Sequence, residues 1–339
     1  QMPVLRAAHP QLAALFTALG FHQSGTHRSK AVTRWSQGGV NLIINTEKDG
    51  FAQSHAIMHG PGVCALALRV ADVEATMARA RALKVPTFEQ RVGPGEMEIP
   101  AIRGVGGSLI YFTEPKGERS QSWENDFLPV EDDSDRPALL TGVDHISQSM
   151  DYDEMLSWLL FYTSLFALER IPQLAIADPA GLVESRPLVN ADGSLRFILN
   201  GSQATRTLSS RFVSEHFGSG VQHIAFSAPD IFAAVTAMRE AGLSFLDIPE
   251  NYYDDLEARY DLDPAFLDRL REHHILYDRD GEAEFLQVYT HVFAQRFFFE
   301  IVERRDGYSG FGAVNAPVRL AAQAREARPV TVPRPLRED

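Results

Sequence analysis

The stretch that decides the fold is "GSGVQHIAFSAPDIFAAVTAMREAGL", residues 218–243, because the chain contains a second version of it. The other copy, "GPGVCALALRVADVEATMARARAL", occupies residues 60–83. Both read Gly-x-Gly, an apolar run, a short loop with an aspartate and an alanine-rich amphipathic stretch, which predicts a strand, a loop and a helix. The first glycines and the loop aspartates of the two copies are each 158 residues apart, so the alignment needs no gap. The chain is therefore an internal duplication.

The segments around each copy extend the duplication. Residues 10–21 and 153–168 have the apolar spacing of helices, and residues 106–113 and 282–290 are rich in the β-branched and aromatic residues of strands. We predict an α+β fold of two tandem βαβββ modules. Modules of this kind, when paired, curl their sheets around a cavity that is open at one end.

The same pattern gives the domain boundaries. We predict an N-terminal domain over residues 1–115, a linker over 116–138, a C-terminal domain over 139–318 and a tail over 319–339. The linker is polar and charged and contains prolines, and the prolines of the tail cannot continue a helix. The start Gln1-Met2-Pro3 suggests an excised fragment of a longer protein.

Composition excludes several classes of function. The 339 residues are 45% hydrophobic and carry a formal net charge of −13, which disfavours duplex nucleic acid and anionic membrane surfaces as partners. No apolar run approaches the roughly 18 residues of a membrane span. Cys64 is the single cysteine, so an internal disulfide is ruled out, and we expect a cytoplasmic protein.

Three strand residues of the second half have metal-ligating side chains, namely His145, His223 and Glu300. Glu300 follows Phe299 in an apolar strand and points to the opposite face, where a carboxylate is costly unless a cation or hydrogen-bond donors meet it. Two imidazoles and one carboxylate form the facial triad that suits non-haem Fe(II). The triad leaves three coordination positions for a bidentate 2-oxo acid and dioxygen.

Each of these residues also has an ordinary structural explanation. A single histidine in a strand is commonly a hydrogen-bonded core residue, and Glu300 could pair with Arg304 or Arg305 near the end of its strand. A metal centre and a set of separate structural contacts therefore both remain open from the residues alone.

The first half serves as an internal control. Ala65 occupies the position of His223, and in our alignment of the last strands Ile110 occupies that of Gln287. The first half keeps the pattern of the fold without these polar groups, so we expect the metal centre in the second half only.

The motifs of the second half resemble the 4-hydroxyphenylpyruvate dioxygenase family of the vicinal oxygen chelate superfamily, over roughly residues 141–316. The stretches that carry the resemblance are "GVDHI", "GSGVQHIAF", "FLDIPENYYDDL", "LQVYT", "FFFEIVERR" and "GFGAVN". In the first half, "LGF" and residues 27–45 are also similar to this family.

The resemblance implies roles for particular residues and partners. The implied Fe(II) ligands are His145, His223 and Glu300, and the implied pocket residues are Gln287, Asn200, Ser185 and Phe311. Without the resemblance, Gln287 would be interpreted as a cap on a strand edge, and Ser185 and Asn200 as hydrogen-bonding residues of surface loops. The family implies a 2-oxo acid or aromatic acid substrate and dioxygen, and we expect a homo-oligomer. Mg, Mn or Co is the alternative to iron.

The chain also departs from the family pattern. Ala316 stands where the family usually has a phenylalanine, which removes an aromatic wall of the pocket. The chain is in addition similar to the C-terminal half of bacterial fused 3-dehydroshikimate dehydratases of quinate and shikimate catabolism, whose N-terminal barrel would lie outside this chain. The alternatives to a dioxygenase are therefore a structural or oligomerisation domain of such a dehydratase and a non-catalytic metal-binding module.

Overall fold

The structure is a computed structural model, and it describes residues 2–6, 9–90, 92–116, 122–130 and 137–326. The first half forms the elements β1 (Met2–Arg6), α1 (His9–Ala18), β2 (His22–His27), β3 (Val32–Gln37), β4 (Val40–Asn45), α2 (Gly50–His59), β5 (Gly62–Arg69), α3 (Val73–Ala82), β6 (Thr87–Phe88), β7 (Ala101–Arg103), β8 (Leu109–Thr113), α4 (Ser122–Asp126) and β9 (Phe127–Pro129).

The second half repeats this order with two additional helices before its last three strands. Its elements are β10 (Gly142–Ser149), α5 (Met155–Leu165), β11 (Leu168–Arg170), β12 (Leu174–Asp178), β13 (Gly181–Asn190), β14 (Arg196–Gly201), α6 (Leu208–His216), β15 (Gly220–Ser227), α7 (Ile231–Glu240), α8 (Glu250–Arg259), α9 (Pro264–Glu272), β16 (Leu276–Asp280), β17 (Ala283–Tyr289), β18 (Phe298–Arg305) and α10 (Ala316–Glu326). None of the described helices is long and apolar enough to cross a membrane.

The two sheets have the same strand order, which confirms the predicted α+β fold of two repeated modules with curled, open sheets. The first sheet runs β6-β7-β8-β5-β1-β4-β3-β2-β9 and the second runs β16-β17-β18-β15-β10-β14-β13-β11, with β12 paired to β13. The repeated aspartates have one local role: Asp72 Oδ1 accepts from the Ala75 N–H at 2.9 Å and Asp230 Oδ1 from the Ala233 N–H at 3.0 Å. Each carboxylate therefore caps the helix that follows its strand.

One part of the alignment between the halves was wrong. The strand β8 pairs in parallel with β5, as β18 pairs in parallel with β15, whereas β17 lies one strand further out. The counterpart of residues 109–113 is therefore β18 and not the strand with Gln287, so comparing Ile110 with Gln287 has no structural meaning. Both strands are apolar and aromatic, and composition alone did not distinguish them.

The segment predicted as a linker contains regular structure. The strand β9, which lies within residues 116–138, pairs with β2 at the outer edge of the first sheet. Its two flanks, 117–121 and 131–136, lie outside the described residues. The predicted tail begins within α10, whose last turns pack on the second sheet, and residues 327–339 lie outside the described residues.

The two halves share one hydrophobic core. Phe16 of α1 meets Phe299 of β18 with ring centres 6.2 Å apart, and Phe21 meets Phe226 of β15 at 5.7 Å. Gly106 has a positive φ of 62°, and a Cβ there would lie 1.8 Å from the Ser219 carbonyl oxygen. The close approach of the halves at this point therefore requires glycine.

Three histidines meet at the boundary between the halves. His55 and His59 lie on α2 and His216 ends α6; their exposed fractions are 6%, 6% and 3%. The His59 and His216 rings stack with centres 4.6 Å apart, and His59 Nδ1 lies 2.8 Å from the His216 carbonyl oxygen. Burial, with smaller contributions from neighbouring histidines, lowers the pKa of His55 to about 3; burial also lowers that of His216 to about 4.

This cluster predicts an acid-sensitive interface. An unfolded histidine titrates near pH 6.5, so the folded state binds fewer protons than the unfolded state below that pH. The contribution of the neutral imidazoles of His55 and His216 to the stability of the folded state is complete above about pH 6.5 and is lost as the pH falls toward 4. At pH 5 the loss is about 2 kcal/mol for each imidazole.

Urea unfolding at pH 7 and pH 5 should show this loss in the wild type. The double variant His55→Gln/His216→Gln should lose less stability between the two pH values, whereas His291→Gln, at a half-buried histidine outside the cluster, should lose as much as the wild type. Equal losses in all three proteins would contradict the assignment.

Candidate metal centre

The predicted ligands lie on three adjacent strands around one small residue. The register places His145 of β10 opposite Ala225 of β15, and Ala225 opposite Glu300 of β18. His223 is two residues before Ala225 and therefore projects from the same face of the sheet. Because Ala225 lies between the two partner strands and has a small side chain, the three longer side chains can converge above it.

The three side chains are in mutual contact. His145 Nε2 lies 3.2 Å from Glu300 Oε2, and His223 Nε2 lies 3.3 Å from the same oxygen. One ligand atom from each residue fits within a span of 4.8 Å. The exposed fractions are 1%, 6% and 2% for His145, His223 and Glu300, so water has little access to the cluster.

A β-bulge brings a second carboxylate to His145. The register of β10 against β15 skips Asp144, so Asp144 Oδ1 reaches His145 Nδ1 at 2.8 Å although the two residues are adjacent. Arg304 of β18 donates from Nε and Nη2 to the two oxygens of Asp144, at 2.7 and 2.8 Å. This pairing excludes the alternative that Arg304 neutralises Glu300, and Arg305 pairs with Glu303 and Glu284.

The charges of the cluster are coupled. Burial by itself would lower the pKa of His145, but Glu300 and Asp144 outweigh it and raise the pKa to about 9. At His223 burial prevails over Glu300 and lowers the pKa to about 4. Burial would raise the pKa of Glu300, but the two imidazoles outweigh it and lower the pKa to about 2. In the absence of a metal, the His145 imidazolium therefore lies between the carboxylates of Glu300 and Asp144 at neutral pH.

These residues fit a divalent metal ion. Neighbouring ligands at right angles on an ion with bonds of about 2.1 Å are separated by about 3 Å, close to the two contacts of Glu300. The orienting contact of Asp144 with His145 is the arrangement that metal-binding histidines commonly have on the second nitrogen. His223 faces the cluster with Nε2, which lies 3.3 Å from Glu300 Oε2. Its other nitrogen, Nδ1, is buried without a hydrogen-bond partner.

The first half has different residues at all three positions. Met2 lies opposite Ala67 and Ala67 opposite Tyr111, so the register puts Met2 in the place of His145 and Tyr111 in the place of Glu300. Ala65 takes the place of His223, as the sequence suggested. Among the described residues, the cluster of His, Cys, Asp and Glu side chains that could hold a metal ion is the one in the second half.

Two of the predicted pocket residues lie beside the centre. Gln287 is 1% exposed and its Nε2 donates to Tyr289 Oη and, at 3.4 Å, to Glu300 Oε1. The Phe311 ring meets the His145 ring edge-on, with centres 5.8 Å apart. Gln287 faces the interior of the sheet, so the alternative interpretation as a strand-edge cap does not describe its contacts.

The other two predicted pocket residues lie on neighbouring strands and not in surface loops. Ser185 of β13 pairs in register with Asn200 of β14 and is 3% exposed. Asn200 Nδ2 donates to Ser147 Oγ at 2.8 Å, and Ser147 lies two residues after His145 on the same face. Both side chains therefore belong to the side of the sheet that holds the metal centre.

Besides Asp144, the structure adds three residues that the sequence interpretation did not include. Tyr289 lies opposite Glu300 in the register of β17 and β18, on the same face as Gln287. Because side chains two residues apart in a strand share a face, the position of Tyr289 two residues after Gln287 was enough to predict this from the sequence. Arg319 of α10 lies over the rings of Tyr289 and Phe298. Gln323, one turn later, was missed with Arg319 because both fell in the predicted tail.

Comparisons with known proteins agree with this architecture. Residues 5–128 match the family described as "Hydroxyphenylpyruvate dioxygenase, HPPD, N-terminal", and residues 142–281 match the "Glyoxalase/Bleomycin resistance protein/Dioxygenase superfamily". A 4-hydroxyphenylpyruvate dioxygenase from Pseudomonas aeruginosa is 32% identical over 309 residues, which cover 90% of this chain and 86% of the relative. The chain belongs to the 4-hydroxyphenylpyruvate dioxygenase family. The resemblance of its motifs to that family is confirmed.

Longer relatives match as well. A protein named 3-dehydroshikimate dehydratase from Pseudomonas aeruginosa is 46% identical over 314 residues, which cover 92% of this chain and 49% of the relative. A solved structure described as a xylose isomerase-like TIM barrel/4-hydroxyphenylpyruvate dioxygenase fusion protein is 40% identical, with a TM-score of 0.83, over 96% of this chain and 52% of that chain. The chain thus spans about half the length of these longer members of the comparison.

Proposed function

We propose that this chain is an Fe(II)-dependent dioxygenase domain that acts on a 2-oxo acid. The observation that carries the proposal is the convergence of His145 Nε2, His223 Nε2 and a Glu300 oxygen within 4.8 Å on three adjacent buried strands. This donor set is typical of non-haem Fe(II) oxygenases. Family membership supports the same reaction class, and a cytoplasmic location fits the single, buried Cys64.

Each residue of the site has a task in this proposal. His145, His223 and Glu300 hold the ion, while Asp144 fixes the ring of His145. When bound, Fe(II) supplies Lewis acidity toward the 2-oxo acid and reactivity toward dioxygen. The buried rings of Phe298 and Tyr289 and the half-buried ring of Phe311 lie around the ligands and limit the access of bulk water. Gln287, Asn200 and Ser185 present polar atoms on the substrate side.

Oxygen consumption tests the proposal. In the expected reaction the 2-oxo acid loses CO₂, and the two atoms of O₂ enter the new carboxylate and the organic fragment. Anaerobically Fe(II)-loaded protein should therefore consume O₂ and release CO₂ in equal amounts with at least one aromatic 2-oxo acid of a panel. The His223→Ala protein at the same iron concentration is the control for uncatalysed oxidation. Absence of turnover in fully metal-loaded protein would contradict the proposal.

A second candidate function rests on the relatives named 3-dehydroshikimate dehydratase, which this chain matches over about half of their length. In that case the chain is the non-dehydratase half of a fused protein and supports its stability or oligomeric state. Removal of this half from the full-length protein would then change the oligomeric mass and the melting temperature, with no O₂ consumption by the isolated half.

A further inference from the structure

The helix α10 brings a positive charge close to the metal centre. The Arg319 guanidinium carbon lies 5.5 Å from the centre of the Tyr289 ring and 5.6 Å from that of the Phe298 ring. The Phe298 ring in turn stacks on the His223 ring, with centres 4.7 Å apart. A single aromatic ring therefore separates the guanidinium from a proposed metal ligand.

Arg319 has no carboxylate partner. Among the described residues no Asp or Glu oxygen lies within 4 Å of its guanidinium. By contrast, Arg304 of β18 is paired with Asp144. The contact of Arg319 with a polar side chain is a hydrogen bond from Nη1 to Gln323 Oε1 at 2.6 Å. The positive charge is thus left without a counter-charge from the described part of the protein.

Gln323 provides a second unsatisfied donor. Its exposed fraction is 6%, and its Nε2 is buried without a hydrogen-bond partner. Its Oε1 accepts from Arg319, and the N–H groups of its Nε2 have no acceptor. Arg319 and Gln323 together therefore present N–H donors to a further partner, which is the complement of a carboxylate.

The charge of Arg319 affects the pKa values of two residues at the metal centre. Burial is the main cause that raises the pKa of Tyr289 well above its usual value, and Glu300 adds to it, while Arg319 acts in the opposite direction. Arg319 also contributes to the lowering of the pKa of His223, after burial and His145. The guanidinium therefore adds positive charge close to the residues that would hold a divalent ion.

We propose that Arg319 and Gln323 bind the carboxylate at the far end of an organic acid whose other end chelates the metal through two adjacent oxygens. The ligand class is a dianion, with the two anionic ends separated by an aromatic ring or a chain of similar length. Ala316, one turn before Arg319 on the same face of α10, has a small side chain. The inference rests on the proposed function, because the metal supplies the other anchor.

Two probes test this subsite, phenylpyruvate and 4-carboxyphenylpyruvate, each titrated calorimetrically into the Fe(II)-loaded full chain without oxygen. The wild type should bind the carboxylated probe at least ~10-fold more tightly, because the added hydrogen bonds are charge-assisted. Arg319→Gln should reduce this ratio to below about 2-fold, and the ratio isolates the added carboxylate because both probes share the metal-binding end. Arg319→Lys should keep part of the ratio. Arg325→Gln, which removes an exposed charge from the same helix, should keep all of it.

The outcomes separate the subsite from the proposed function. A ratio near one in the wild type, no binding of the carboxylated probe, or a ratio that survives Arg319→Gln would overturn the subsite. The visible charge-transfer band of a 2-oxo acid chelated to Fe(II) reports on the metal end. A high, Arg319-dependent ratio without that band would keep the subsite and contradict the 2-oxo acid chemistry.

Discussion

Replacing Glu300 by Gln should lower the affinity for Fe(II) by more than about 100-fold, since loss of a ligand should exceed the 10–100-fold effect of changes behind the ligands. The amide keeps the shape of the side chain but removes the negative charge that faces both imidazoles at 3.2 and 3.3 Å. It also removes the carboxylate that a hard divalent cation prefers. Competition with a chromophoric chelator under anaerobic conditions measures this change.

Glu282→Gln is the matched control, because it removes the same charge from an exposed position outside the centre. Its metal affinity should equal that of the wild type. If Glu300→Gln binds Fe(II) as tightly as this control while retaining the native circular dichroism spectrum, Glu300 is not a ligand.

Replacing Asp144 by Asn should have the largest effect on stability, a loss of about 3–5 kcal/mol in the free energy of unfolding. The Asp144 side chain is 2% exposed and receives two hydrogen bonds from Arg304, whose side chain is 15% exposed. The substitution leaves the half-buried guanidinium without its carboxylate. It also weakens the contact that orients His145, so metal affinity should fall by about 10–100-fold. Urea unfolding and metal titration measure the two effects.

The double variant Asp144→Asn/Arg304→Met separates these effects. Removing both charges should recover much of the lost stability, because the cost lies in the uncompensated partner. The metal affinity should stay low, since His145 still lacks its carboxylate. If the free energy of unfolding of Asp144→Asn alone lies within about 1 kcal/mol of that of the wild type, the account of this ion pair is contradicted.

The repeated stretch was sufficient to predict the fold, because apolar spacing and the capping aspartates act locally. Asp72 and Asp230 both cap the helices that follow their strands. The match between the last strands failed, since β8, β17 and β18 have similar composition and only their pairing distinguishes them. Pairing depends on contacts between residues that are far apart in the sequence.

The candidate site could be predicted only in part. His145, His223 and Glu300 were recognisable because a polar residue in an apolar strand is unusual and because His223 lies in the repeated stretch. The role of Asp144 depends on a β-bulge, and the sequence "GVDHI" does not reveal where the extra residue falls. Arg319 and Gln323 come to the centre through the packing of α10 across the sheet, which the charge pattern of the helix alone did not indicate.

The central claim is that the second half holds a metal ion at His145, His223 and Glu300 and that the first half holds none. An anomalous difference map from crystals of the protein soaked with Co(II) tests this claim most directly. The account predicts one strong peak per chain, within bonding distance of His145 Nε2, His223 Nε2 and the Glu300 carboxylate. A map with no peak at these atoms, or with its strongest peak near Ala65 and Tyr111 of the first half, would contradict it.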